Sequence, residues 1–224
     1  MSDWDRFVRD LNEQWPLIWS GLGQTLSLAT VISITGLLAG ILVFYFTLSP
    51  RLWVRRLTQA YISFFIGMPL IVLLFLMYYG LPQWGVKVAP FWIAVVGFTM
   101  NIAAYNAGHM ATAYNGLDPV ELESARAQGF SHRQVFEVIT LPQVLRLSVP
   151  ALTNQIILNL KDTSVAFLIQ YTEFFARIQE LAATNFQFFK AYMLAAGVYL
   201  GLVSIIVLVA RLIERRILIP GTLR

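Results

Sequence analysis

The sequence predicts an all-α membrane protein with five transmembrane helices, and three observations predict it. Hydrophobic residues make up 58% of the 224-residue chain and charged residues 12%, about half the charge of an ordinary soluble domain. The apolar residues gather into runs long enough to cross a bilayer. The basic residues fall mostly between and after those runs, where they set topology rather than bind nucleic acid. The chain contains no cysteine and two histidines, His109 and His132. That excludes disulfides and thiolate chemistry and argues against a histidine metal centre.

The elements follow in order. Residues 1–16 read as a polar, amphipathic lead on the outer face, with Trp4, Trp15 and Trp19 suited to a membrane interface. Its acidic residues Asp3, Asp5, Asp10 and Glu13 do not resemble a basic signal-peptide head, so the first span is expected to be retained. That span covers about 17–48 and carries Gly36 and Gly40 at GxxxG spacing, which reads either as a close helix contact or as chance. Residues 49–58 form a basic loop. A second span, 59–79, is interrupted by Gly67-Met68-Pro69, where proline removes a donor and frees a carbonyl. The interruption reads either as a kink or as a broken helix lining a cavity. A short loop with Lys87 leads to the third span, 91–111, which contains Asn101, Asn106 and His109. After a polar stretch come the fourth span, 149–171, an amphipathic segment, 172–190, and the fifth span, 191–213. The transmembrane domain is set at 17–215 and a tail at 216–224.

An odd number of spans puts the termini on opposite sides. Ten basic residues (Arg51, Arg55, Arg56, Arg126, Arg133, Arg146, Arg211, Arg215, Arg216 and Arg224) fall on one side, and five (Arg6, Arg9, Lys87, Arg177 and Lys190) on the other. The richer side is expected to be cytoplasmic, with the N-terminus outside.

The polar stretch 118–142 then becomes the largest cytoplasmic loop. It reads as two short helices joined at a glycine. Asp118 N-caps the first, Pro119 opens it, and Glu121 completes a capping box. Gly129 ends it in a left-handed conformation. Ser131 and Gln134 form a second box, and Pro142 stops the second helix. On this pattern alone the stretch is either a docking surface or an ordinary loop.

The fourth span is the most polar. Asn154, Gln155, Asn159, Lys161, Asp162, Thr163 and Ser164 lie in one span-length stretch. Gln155 and Asp162 are seven apart and so share a helical face, with Asn159 near it. An amide–amide–carboxylate row suits an amine or a zwitterion. Alternatively Lys161 and Asp162 neutralise each other while the amides bond between helices. No GxSxG, HExxH or phosphate-cradling glycine loop is present, so any ATP chemistry belongs to another chain.

The loop also carries a specific pattern. Glu123-Ser124-Ala125, three residues, Gly129, nine residues, then Ile139-Thr140-Leu141-Pro142 resembles the EAA loop of ABC-importer permeases of the type I fold. Gly67-Met68-Pro69-Leu70-Ile71-Val72, Tyr79-Gly80-Leu81-Pro82, Ala104-Tyr105, Leu141-Pro142-Gln143, Leu145-Arg146 and Leu160-Lys161-Asp162-Thr163-Ser164 are similar to motifs of the polar amino-acid group, which takes up histidine, glutamine or arginine. The resemblance spans about residues 20–215. It implies a permease subunit of a bacterial inner-membrane importer, working by alternating access. It further implies a second permease subunit, two ATP-binding subunits that carry ATP and magnesium, and a soluble substrate-binding protein. Glu123, Ala125, Gly129, Phe130, Ile139, Leu141 and Pro142 would couple to the ATPase. Met68, Gln155, Asn159, Asp162, Thr163 and Ser164 would meet the amino acid. Two departures stand out. Ile66 replaces the usual arginine before Gly67, and Gly108 and Ala111 occupy the usual Glu and Arg positions after Ala104-Tyr105. The missing charges favour a heterodimer over a homodimer, or else shift the substrate preference. A gradient-driven secondary transporter using Asp162 or His109 is the alternative.

Overall fold

The computed structural model describes residues 3–217, and those residues contain helices and no strands. Nine α-helices follow one another: α1 (Asp3–Thr47), α2 (Leu52–Gly67), α3 (Leu70–Gly80), α4 (Pro90–Tyr114), α5 (Pro119–Ala127), α6 (His132–Val135), α7 (Leu141–Asp162), α8 (Phe174–Asn185) and α9 (Phe188–Ile217). Short 3₁₀ segments follow α3 and α7, at Leu81–Trp84 and Thr163–Ile169. Among the described residues, three stretches are long and apolar enough to cross a membrane, Trp4–Thr47, His132–Ile169 and Phe188–Leu212, and a fourth is counted if α2 and α3 form one broken span. The tail beyond Ile217, including Arg224, lies outside the described residues.

Several boundaries differ from the sequence reading. No break separates a polar lead from the first span. Pro16 sits inside α1 and removes one helical bond without ending the helix. At 1.5 Å per residue α1 is about 68 Å long, roughly twice a hydrocarbon core of about 30 Å. The basic loop is shorter than expected, because α2 begins at Leu52 and takes Arg55 and Arg56 into its first turns.

The chain divides into two compact units, and α1, α4, α7 and α9 each contribute residues to both. Of the described residues, the first unit takes those up to 34, then 69–98 and 156–207. Its core joins Phe7 and Ile18 of α1 to Phe174, Ile178, Leu181 and Ala182 of α8 and to Ala191 and Ala195 of α9. Gly21 permits the approach: a Cβ there would lie 2.8 Å from Arg177 Cγ and 3.0 Å from the Glu173 carbonyl oxygen. Glu173 is fully buried and N-caps α8, accepting from the Phe175 and Ala176 amides at 2.8 Å each. Thr25 Oγ1 donates to Glu173 Oε2, the oxygen that also accepts from Phe175, at 3.0 Å and accepts from the Phe174 amide at 3.0 Å. Trp15 and Trp19 stack with centroids 6.2 Å apart, and Lys190 Nζ sits 4.7 Å from the centre of a Trp4 ring.

Of the described residues, the second unit takes 35–68, 99–155 and those of α9 from 208 onward. Its main core is built from Phe44, Ile62, Ala107, Met110, Phe136 and Val144. Gly36 and Gly40 make a true close contact with α4. Added Cβ atoms would lie 2.5 Å from Ile102 Cγ2 and 2.7 Å from Asn106 Cβ. Asn106 Nδ2 donates to the Gly36 carbonyl at 3.2 Å across the same seam. The freed carbonyl at the Gly67-Met68-Pro69 break also has its partner. Pro69 cannot donate to Phe65, and Asn101 Nδ2 of α4 donates to that carbonyl instead, at 2.8 Å. The two amides that lower the apolarity of α4 are therefore engaged inward, where a polar side chain is tolerated in a membrane helix.

Candidate functional site

The 118–142 loop folds as two short helices about a glycine. Asp118 Oδ1 accepts from the Val120 amide at 2.9 Å, satisfying one orphan donor of α5. The expected box with Glu121 does not close, because Glu121 Oε2 accepts instead from Gln143 Nε2 at 2.7 Å. That bond fastens α5 to the start of α7. Gly129 is left-handed, with φ of 88°. The Gly129 amide donates to the Arg126 carbonyl and the Phe130 amide to the Ala125 carbonyl, at 3.0 and 3.2 Å. Those two bonds form a Schellman motif, which needs a residue at positive φ. Ser131 and Gln134 form the predicted reciprocal box.

Pro142 does not stop the second helix. α6 is four residues long and runs into a π-helical turn, Phe136–Thr140, that leads directly into α7. The Leu141 amide bonds the Phe136 carbonyl, five residues back. Pro142 thus falls at the start of α7, where a missing N–H disrupts least, and the wide turn takes up the register around it.

Leu122, Ala125 and Val135 are buried against one another, with Tyr114 and Ile139 packed beside them. This small core fixes the angle between α5 and α6. On the outer side it leaves a cleft of about 560 Å³. Ala125, Phe130, Ile139 and Pro142, four of the seven expected coupling residues, line that cleft. Val120 and Val138, each 64% exposed, stand at it with Phe130 at 38%. Glu123 is exposed elsewhere on α5, Gly129 forms the hinge, and Leu141 packs partly buried toward the main core. The cleft is thus lined largely by apolar side chains, exposed on an otherwise charged loop.

The expected substrate residues do not share one environment. Met68 sits half-buried in the break between α2 and α3, in extended backbone (φ −93°, ψ 127°). Gln155, Asn159 and Thr163 are buried. Asn159 Nδ2 donates to Ser33 Oγ at 3.2 Å, and Thr163 Oγ1 donates to the Leu160 carbonyl at 2.7 Å. Asp162 and Lys161 are exposed, and Ser164 Oγ donates to the Lys161 carbonyl at 2.8 Å. Gln155, Asn159 and Asp162 all lie within α7, so the seven-residue spacing keeps its shared helical face. The amides on it are buried, and the carboxylate at its end is exposed. α7 ends at Asp162 and tightens to 3₁₀ over Thr163–Ile169, closing at Gln170 in the left-handed region (φ 64°). The sequence reading passed over Ser33 and noted Asn101 only as a polar residue of the third span; the roles of both follow from contacts distant in sequence.

Residues 32–219 match the family described as the binding-protein-dependent transport system inner membrane component. The chain belongs to this family. Among similar permeases, the "Probable amino-acid ABC transporter permease protein PatM" of Vibrio harveyi is 36% identical over 87% of this chain and 88% of its own length. The L-cystine transport system permease protein TcyB of Bacillus subtilis is 31% identical, over 93% and 90%. The arginine transport system permease protein ArtQ of the same organism is 30% identical, over 91% and 94%. A crystal structure of an amino acid ABC transporter with histidines superposes with a TM-score of 0.83 at 27% identity, covering 92% of this chain and 96% of that one. An inward-facing methionine transporter, MetNI, shares the fold at a TM-score of 0.76 and 20% identity. The permease therefore has the type I importer fold and is an amino-acid ABC transporter permease with membrane-crossing helices.

Proposed function

We propose that the chain is the permease subunit of an ATP-driven importer that moves a polar amino acid into the cytoplasm of a bacterium. The observation that carries this reading is the 118–142 loop. Its exposed apolar cleft, rigid left-handed hinge and continuous helical link into α7 suit a surface that receives force from an ATPase. Five spans are proposed, counting α4 and the broken α2–α3 pair, with the N-terminus outside and the loop in the cytoplasm. The 25-residue length of α4 is enough to cross. Closure of two ATP-binding subunits would draw the loops together and open the pathway outward to a soluble binding protein. Hydrolysis, with ATP and magnesium on those subunits, would reset it. A second permease subunit completes the assembly, and the uncharged Ile66, Gly108 and Ala111 favour a heterodimer. Asp162, exposed at the end of α7, offers a carboxylate to the substrate's ammonium group. Met68, Gln155, Asn159, Thr163 and Ser164 are proposed as further residues that meet the substrate along its path. Names such as arginine and cystine among the relatives support a polar amino acid as cargo.

The test is uptake into vesicles that hold the assembled complex. Uptake should require ATP inside and the binding protein outside. Gly129→Asp should abolish uptake while the purified complex keeps its subunits, because distorting the left-handed turn costs about 1–2 kcal/mol and misdirects α5. Uptake driven by an ion gradient without ATP would establish the secondary-transporter alternative. Full uptake by Gly129→Asp would remove the coupling role of the loop.

A further inference from the structure

The 118–142 loop has a second face. Beneath α5 and α6, away from the outer cleft, lies a separate cavity of about 240 Å³. Arg55 from the first turn of α2, Arg126 from the last turn of α5 and His132 from the start of α6 all line it. Thr47, Tyr114 and Thr140 complete the polar part of the wall. No aspartate or glutamate lines it, and neither arginine is ion-paired among the described residues. The exposed His132 ring lies beside Tyr45, its centre 5.9 Å from that of the Tyr45 ring.

We infer that this cavity is an anion site for a phosphate group. Three side chains that can carry positive charge, drawn from three helices around one recess, leave a field that an anion would neutralise. Arginine suits phosphate because its planar fork gives two parallel donors. The volume is smaller than the roughly 300 Å³ at which sites for drug-sized molecules begin, so the cavity fits a headgroup rather than a large ligand. Its position favours a lipid as the source. Thr47 closes α1, and Arg55 begins α2 beside the exposed Trp53 and Leu57, at 64% and 66% exposure. A bulky apolar pair next to basic residues marks a membrane boundary. A bound headgroup would tie α2 to both helices of the loop. The lipid source rests on the cytoplasmic placement of the loop proposed above; the anion chemistry does not.

Two probes separate the sources. The assembled transporter in neutral detergent is titrated with phosphatidylglycerol and read by native mass spectrometry, and separately with inorganic phosphate by calorimetry. Retained phosphatidylglycerol, with affinity reduced about thirty-fold in the double variant Arg55→Gln, Arg126→Gln, identifies a headgroup site; that is the worth of two near-surface basic side chains. Phosphate binding that the same variant abolishes, without lipid retention, identifies a site for a free anion. The variant Arg55→Lys, Arg126→Lys should hold most of the affinity if charge is what binds. If the double variant does not assemble, Arg55→Gln and Arg126→Gln taken singly should each weaken binding about five-fold. Equal binding of both probes by parent and glutamine variants overturns the inference. Sidedness is tested apart from it, by labelling a cysteine placed at Ser49 in inside-out and right-side-out vesicles. Detergent solution has no sides, so the two claims fail separately.

Discussion

At the scale of single residues, the chain places polar side chains where backbone or buried charge would otherwise be left unsatisfied. Asn101 is the sharpest case, because it supplies to Phe65 the hydrogen bond that Pro69 cannot. Asn101→Leu should lower the stability of the complex by about 1–3 kcal/mol, the penalty for an orphaned buried carbonyl. The measurement is thermal unfolding in detergent, and an unshifted midpoint would show that the break needs no support from α4. Glu173 is the second case. Burial pushes its carboxyl above the ordinary value of 4.5, while donors from Phe175, Ala176 and Thr25 pull the other way. The folded chain then keeps this proton to higher pH than the unfolded chain does. The stability it contributes is fully present below pH 4.5 and is lost as pH rises through the raised folded value. Glu173→Gln, which removes the titration, should flatten the pH dependence of unfolding across that window. An unchanged slope would assign the dependence to other groups.

At the scale of elements, the α1–α4 seam turns on two glycines. Gly40 faces Asn106 Cβ at 2.7 Å and the Ala103 carbonyl oxygen at 3.4 Å from where its own Cβ would stand. Neither neighbour is the far end of a flexible chain, so a larger residue must push the helices apart. Gly40→Val should cost about 1–3 kcal/mol and weaken amide protection on α4 in hydrogen exchange. Protection equal to the parent's would mean the seam can open without loss. The GxxxG spacing was visible in the sequence, yet spacing alone could not choose between contact and chance, since the deciding atoms belong to α4. The Gly67-Met68-Pro69 break, the Asp118 cap, the Ser131–Gln134 box and the left-handed Gly129 were all legible, because each is a local rule of backbone geometry. The Glu121 box was not, because a long-range bond to Gln143 competed for the same carboxylate and won.

At the scale of the whole molecule, the all-helical class and the family were readable from composition and from the loop pattern. The binding surface was less so. Helical periodicity put Asp162 on the face of Gln155, and α7 runs unbroken to Asp162, but periodicity did not show that the amides on that face are buried while the carboxylate at its end is exposed. That separation sharpens what Asp162 can do. An exposed carboxylate, with Lys161 beside it in the chain, can meet a substrate. Asp162→Ala should therefore leave assembly and thermal stability near the parent's while ATP-driven uptake falls at least about ten-fold, the value of one charged hydrogen bond of about 1.5 kcal/mol or more. Lost assembly with unaltered uptake per complex would make Asp162 a structural residue instead.

The π turn at Phe136–Thr140 has a mechanical meaning. A helix with one residue too many in a turn behaves like a screw carrying a spare thread. Drawing that residue into α-helical register would rotate α6 against α7 by about 100° and shift it by about 1.5 Å along the axis. On the coupling proposed above, the loop and the span would be geared through this turn. A push on α5, clamped to α7 through Glu121 and Gln143, would be returned as a twist of the helix that carries Asp162.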